Sequence, residues 1–286
     1  MNYEKIADGT ENFVDKLFEN DNMELIMQKM IKESNRQKEV GYLPSTRLTE
    51  KEIDDLKSGK LPRAAKDIVA LYKHEDNRQK KDVYITNLAV SKTNGQNHYC
   101  SFWINKKKKF VNIWDSASSG YRASNFYSLF EQAAKSILKK NLEWVDKLVK
   151  VLSTPDEQSF QHGGGFFGKP KSLLAQNIYC HTWTLFFLEL HLFGYSFRQI
   201  SCFRGNHPLL PLAVIKLYSQ CILKRLNVKM TSKYEGLMYI WDEKDSKAIP
   251  LPKMKKGSKC AVSAVENAKK ASLLVPVRQC KNILYL

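Results

Sequence analysis

A cysteine, a histidine and an aspartate in the middle of this chain have the types and local settings that attack on a carbonyl carbon requires. Cys180 stands at or just before the start of the most apolar stretch, Thr182–Phe193, in which Trp183, Phe186, Phe187, Leu190 and Phe193 fit a buried helix that Gly194 ends. The thiolate is the reactive form of cysteine, and a helix N-terminus or a neighbouring imidazolium lowers a thiol pKa from its usual ~8.5. His98 opens one β-like run, His98–Ile104, and Asp115 directly follows another, Phe110–Trp114. A hairpin closed by either a two-residue loop (Lys106, Lys107) or a four-residue loop (Asn105–Lys108) sets His98 directly opposite Asp115, with Cβ atoms ~4.5–5.5 Å apart. A carboxylate there fixes the tautomer and orientation of the imidazole, which serves as general base. The oxyanion that forms on attack needs donors, for which the Cys180 backbone N–H and the Gln176 amide are candidates, with Asn177 as an alternative to Gln176.

Each of these residues also has a plainer use. A cysteine on an apolar helix is commonly inert core, a histidine at a strand end is commonly just hydrogen-bonded, and Asp115 ahead of Ser-Ala-Ser suits a turn or an Asx cap. Metal binding by His98, Cys100, Cys180 and His181 lacks ligand spacing, so neither a metal nor another cofactor is expected. The six cysteines (Cys100, Cys180, Cys202, Cys221, Cys260, Cys280) include no CxxC pair, so most are expected to be free thiols.

Three kinds of segment surround these residues. Residues 1–80 read as helical, with apolar spacing in Phe13, Leu17, Met23, Ile26, Met30 and Ile31, then a Pro-bounded segment and a second helix around Ala64–Tyr72. A β-meander follows in Val83–Ile85, His98–Ile104 and Phe110–Trp114, then a helical pattern over 123–140 and a strand candidate at Leu148–Leu152. After Gly205 come a helix at Pro211–Leu226 and a short strand candidate near Leu237–Trp241. The expected organisation is a helical N-terminal extension (1–81), a core carrying the chemistry (82–204) and a basic C-terminal helical extension packed on it (205–286). The fold class is α+β, a mixed central sheet with flanking helices.

The formal charge is +17, and residues 205–286 hold 15 Lys or Arg against 5 Asp or Glu, so +10 of it lies there. Such a field attracts polyanions, and Lys253, Lys255, Lys256, Lys259, Lys269 and Lys270 are the expected contacts to nucleic acid, bound without sequence preference. A solvated, solubilising face is the plainer reading. No run of 18 uncharged apolar residues occurs, and the opening MNYEKIADGTENFVDKLFEND is acidic and polar where a secretory signal is basic and then apolar, so a soluble, non-secreted, intracellular protein with no membrane partner is expected.

The segments NHYCSFWINKKKKFVNIWDSAS and AQNIYCHTWTLFFLEL resemble the His, Asp and Gln…Cys boxes of the clan of cysteine proteases that holds the SUMO-specific (ubiquitin-like-protein) proteases and the adenovirus endopeptidase. The resemblance covers about residues 82–200 and is strongest to the processing proteases of large DNA viruses and virophages, such as the African swine fever virus and poxvirus enzymes. It implies a permuted papain-like, adenovirus-protease-like architecture with Cys180 as nucleophile, His98 and Asp115 completing the triad, and Gln176 in the oxyanion hole. It also implies hydrolysis of peptide bonds after Gly-Gly-like or Gly-Xaa sites in viral capsid or core precursors, by a monomer working in the virion and host cytoplasm. Two other functions use the same sequence: a deubiquitinating or deSUMOylating isopeptidase, and a basic nucleic-acid-binding structural protein with no active centre.

Overall fold

The computed structural model describes residues 21–60, 62–91, 97–114, 116, 150–153, 179–196, 199–200, 209–242, 245–255, 257 and 259–270. Its first element, helix α1 (Asp21–Glu33), buries Met23, Ile26, Met27, Met30 and Ile31, the spacing of one helical face. Two short strands, β1 (Val40–Tyr42) and β2 (Thr46–Thr49), follow, and they correct the helical reading of 1–80, which held no strand between its two helices. Strands of three and four residues carry too few positions to declare a period. They exist because the edge of β3 (Val83–Ser91) supplies their hydrogen bonds: β1 pairs with its first half and β2 with its second, both parallel. Helix α2 (Glu50–Lys57) begins with a reciprocal cap, Thr49 Oγ1 accepting from the Glu52 N–H (3.3 Å) while Glu52 Oε2 accepts from the Thr49 N–H (2.8 Å). Helix α3 (Arg63–Gln79) buries Ala65, Ile68, Val69 and Tyr72.

Strands β3, β4 (Asn97–Asn105) and β5 (Phe110–Trp114) form the expected antiparallel meander, and β6 (Lys150–Ser153) adds in parallel to β5. The result is a six-stranded mixed sheet in the order β1-β3-β4-β5-β6, with β2 beside β1 on the β3 edge. The β4–β5 register differs from the expected one by two residues. Asn105 pairs with Phe110 and Ser101 with Trp114, because the turn takes Lys106–Lys109 rather than the four residues from Asn105 or the two lysines alone. Asn105 Oδ1 accepts from the Lys108 N–H (2.7 Å) and Lys109 adopts a positive φ of 55°, which together close that loop.

Alternation gives each face of the sheet its own core. Tyr84, Leu88, Cys100, Phe102, Ile104, Val111 and Ile113 pack with α2 and α3, whereas Val83, Ile85, Trp103 and Trp114 pack with α1 and the later helices. Those are α4 (Cys180–Leu192), α5 (Leu210–Arg225) and α6 (Cys260–Lys270); between α5 and α6 lie a 3-10 helix (Ser232–Met238) and an antiparallel pair, β7 (Tyr239–Asp242) with β8 (Lys247–Pro250). The architecture is α+β, a mixed sheet between two helical layers. Among the described residues no helix is long and apolar enough to cross a membrane.

All 13 residues of α4 are buried, and its end follows the sequence: Gly194 has φ 92°, its N–H bonds the His191 carbonyl and the Tyr195 N–H bonds that of Leu190. Cys221 on α5 and Cys260 at the start of α6 form a disulfide, with Cα atoms 5.5 Å apart. Free thiols were expected for most cysteines, and Cys100 and Cys180 are free. Residues 39 apart offer no local signal for pairing; the packing of α6 along α5 creates it. Cys202 and Cys280 lie outside the described residues.

Candidate active site

Cys180 is the first residue of α4, and the Tyr179 carbonyl before it already accepts from the Trp183 N–H (2.9 Å). Its side chain is 6% exposed and packs with Ala89 of β3 and Tyr99 of β4, a small cluster separate from both main cores. The thiol faces the carbonyl of Asn97 at 3.9 Å, the group that joins Asn97 to His98. The helix start and the opening of β4 therefore meet at Cys180. Ser91, opposite Asn97 across β3 and β4, donates its hydroxyl to Asn97 Oδ1 (2.7 Å) and anchors that strand opening.

His98 is buried, at 8% exposure, and pairs with Val90. Strand alternation puts it in the file of Cys100 and Phe102, next in sequence to Tyr99, which clusters with Cys180. Cys180 thus meets the backbone that opens β4, while alternation places the His98 side chain on the opposite face of that strand, with Cys100 and Phe102. The observed register is displaced by two residues from the one that sets His98 opposite Asp115. Asp115 itself lies outside the described residues, as do Gln176, Asn177 and Lys256.

His181, beside the nucleophile candidate in sequence, has a clear structural role. Its ring lies flat on Tyr99, with centroids 3.7 Å apart and planes within 5°. Burial, with a smaller push from the Arg47 charge, lowers its pKa to about 3. It is neutral near pH 7 and holds no imidazolium charge for a thiolate. Arg47, on β2, completes the surroundings by donating from Nη2 to the Tyr99 hydroxyl (3.3 Å). Neither Arg47 nor Tyr99 was singled out from the sequence; recognising TRLT as a strand is the signal that would have brought Arg47 into view.

Burial also lowers the pKa of His191, at the far end of α4, to about 3, while Arg36 donates to its backbone carbonyl (3.2 Å). In the unfolded chain a histidine titrates near ~6.5. Between that pH and about 3 the unfolded state therefore binds protons that the folded state refuses, and stability falls as pH falls. Each imidazole contributes up to ~1.4 kcal/mol per pH unit across that window. Urea unfolding between pH 7 and pH 4.5 is expected to show this loss, with a shallower pH dependence in His191→Gln; an unchanged dependence would place the proton uptake elsewhere.

The basic residues fall into two groups. Lys253, Lys255 and Lys259 are exposed on the approach to α6, and half-buried Lys269 and exposed Lys270 occupy its last turn, ~15 Å away along the helix. Among the described residues no three His, Cys, Asp or Glu side chains gather where a metal ion could sit. No family model matches the chain, and no curated protein matches it.

Proposed function

We propose that this chain is a cysteine endopeptidase that cuts after Gly-Gly-like or Gly-Xaa sites in viral capsid or core precursor proteins, a monomer of the virion and host cytoplasm with a permuted papain-like fold. One observation carries the reading: the free thiol of Cys180 sits at the start of a wholly buried helix and against the peptide that leads into His98. The roles are Cys180 as nucleophile, His98 as general base, Asp115 as its orienting carboxylate and Gln176 as oxyanion donor, supported by the resemblance of the boxes that contain them.

In this reading the Cys180 thiolate attacks the scissile carbonyl carbon and the pair of electrons moves onto the oxygen. The His98 imidazolium then gives its proton to the leaving amine as the C–N bond breaks, leaving an acyl-enzyme thioester. Water, deprotonated by His98, attacks that thioester and releases the new carboxylate and the thiol. Neutral His181 does not compete for the thiol proton; it keeps the Tyr99 ring in place beside it.

The test is incubation with precursor-derived Gly-Gly peptides and, in parallel, with ubiquitin-like conjugates, together with an active-site thiol probe. Cleavage of the peptides with selective labelling of Cys180 supports the endopeptidase. Turnover of the conjugates alone would assign the same residues to a deubiquitinating or deSUMOylating isopeptidase. No selective labelling of Cys180 would leave the basic nucleic-acid-binding protein without an active centre.

The proposed polyanion contacts are Lys253, Lys255, Lys256, Lys259, Lys269 and Lys270, and bound nucleic acid would hold a packaged protease near its precursors. If Z phosphates are neutralised, log affinity for duplex DNA falls against log salt with a slope near −0.9Z. Replacing the six lysines with Gln is expected to flatten that slope and to leave cleavage of a short peptide unchanged. A slope near zero for the unaltered protein would mean a merely solvated face.

A further inference from the structure

A row of side chains crosses the sheet and ends at the candidate nucleophile. Arg47 on β2 pairs with Ala89 on β3, and Ala89 pairs with Tyr99 on β4, so the three lie side by side on one face. Ala89 and Tyr99 form one small buried cluster with Cys180. Ala89 is the small member, and it keeps the floor low between the guanidinium and the phenol. The Tyr99 ring is held flat by His181 and its hydroxyl takes one Arg47 N–H, which leaves the rest of an exposed guanidinium fork at the tip of the ring that clusters with Cys180. Among the described residues no carboxylate forms an ion pair with Arg47.

We infer that Arg47 is a specificity residue that selects substrates carrying an acidic side chain close to the scissile bond. This rests on the reading of Cys180 as a protease nucleophile. Two strand spacings separate the Arg47 and Tyr99 backbones, ~10 Å, which an extended peptide covers in about three residues. An Asp or Glu two or three residues from the bond under attack therefore comes within reach of the guanidinium, which takes carboxylates in bidentate fashion. Tyr99 is the positioning residue: its hydroxyl fixes one edge of the fork and so orients the other toward the peptide.

The experiment compares kcat/KM for matched peptides that carry the proposed cleavage site and differ only in Glu, Gln or Lys at each of the three positions on either side. At one of those positions the unaltered protein is expected to prefer Glu over Gln by about three- to tenfold, expressed in KM rather than kcat and shrinking as salt is raised. Arg47→Gln brings the Glu-to-Gln ratio to about one, Arg47→Glu turns the preference toward Lys, and Arg47→Lys restores part of it. Cleavage with equal efficiency across the series, or a preference that survives Arg47→Gln, overturns the inference while leaving the protease reading intact. If no peptide is cut and Cys180 is not selectively labelled, the protease reading falls and the inference falls with it.

Discussion

Replacing Cys180 with serine or alanine is expected to lower peptide cleavage by ~10⁴-fold or more, since removal of the nucleophile from a triad leaves only what binding and the oxyanion donors supply. The fold should survive. Among the described residues Cys180 packs in a small cluster with Ala89 and Tyr99, outside both main cores, and exchange of sulfur for oxygen or its deletion changes little volume. Circular dichroism and urea midpoints close to those of the parent, with activity gone, are the expected pair of results. The control is Cys100→Ala: Cys100 is also a free thiol, but it lies in mid-strand within the α2–α3 core rather than at a helix start, so most activity should remain. Around the nucleophile the ranking follows the chemistry. His98→Ala removes the proton carrier and should cost more than Asp115→Ala, which removes its orienting group, while Gln176→Ala should cost ~10²–10³-fold if its amide lines the oxyanion hole. Retained turnover in Cys180→Ser above trace level would sink the assignment, and equal, total loss in soluble His98→Ala and Asp115→Ala would give Asp115 a different role.

How much of this was legible in the sequence depends on the range of the signal. The buried helix behind Cys180 was readable because 13 consecutive buried residues and a C-terminal glycine are written locally. The meander was readable because its β-branched and aromatic runs alternate between two cores. Strands β1 and β2 were not, since their pairing partner, β3, lies some 40 residues on and three or four residues show no period. Missing β2 also hid Arg47 from the site. The β4–β5 register failed by two residues because a turn of lysines carries no strong type preference, and the Asn105 side chain decided where it closed. The bond between Cys221 and Cys260 follows from helix packing rather than from any spacing motif.

The buried charge on the helix that carries Cys180 supports the largest stability prediction. Glu189 is fully buried and takes a bidentate contact from Arg225 of α5, at 3.2 and 3.1 Å. Its oxygens also accept from the Tyr218 hydroxyl (2.9 Å) and the Ala261 N–H of α6 (3.3 Å), and Arg225 reaches Glu33 at the end of α1 (3.1 Å). One carboxylate thus joins α4, α5 and α6, with α1 attached through the guanidinium. Burial, reinforced by that carboxylate, pushes the Tyr218 hydroxyl well above its ordinary pKa, so it stays a donor. Glu189→Gln keeps the shape, yet it removes the charge that Arg225 was desolvated to meet, and breaking one side of a buried pair costs ~3–5 kcal/mol. For a domain of this size that corresponds to a drop in Tm of ~6–15 °C, readable by calorimetry. The pair itself need not be net stabilising, because both ions had to leave water. Combining Glu189→Gln with Arg225→Met should therefore cost less than the two single changes added together, a coupling expected at ~1–3 kcal/mol. A Glu189→Gln variant within ~1 kcal/mol of the parent would mean that Glu33 alone satisfies Arg225, and additive costs in the double variant would mean that the four helices are held by their apolar contacts and not by this charge.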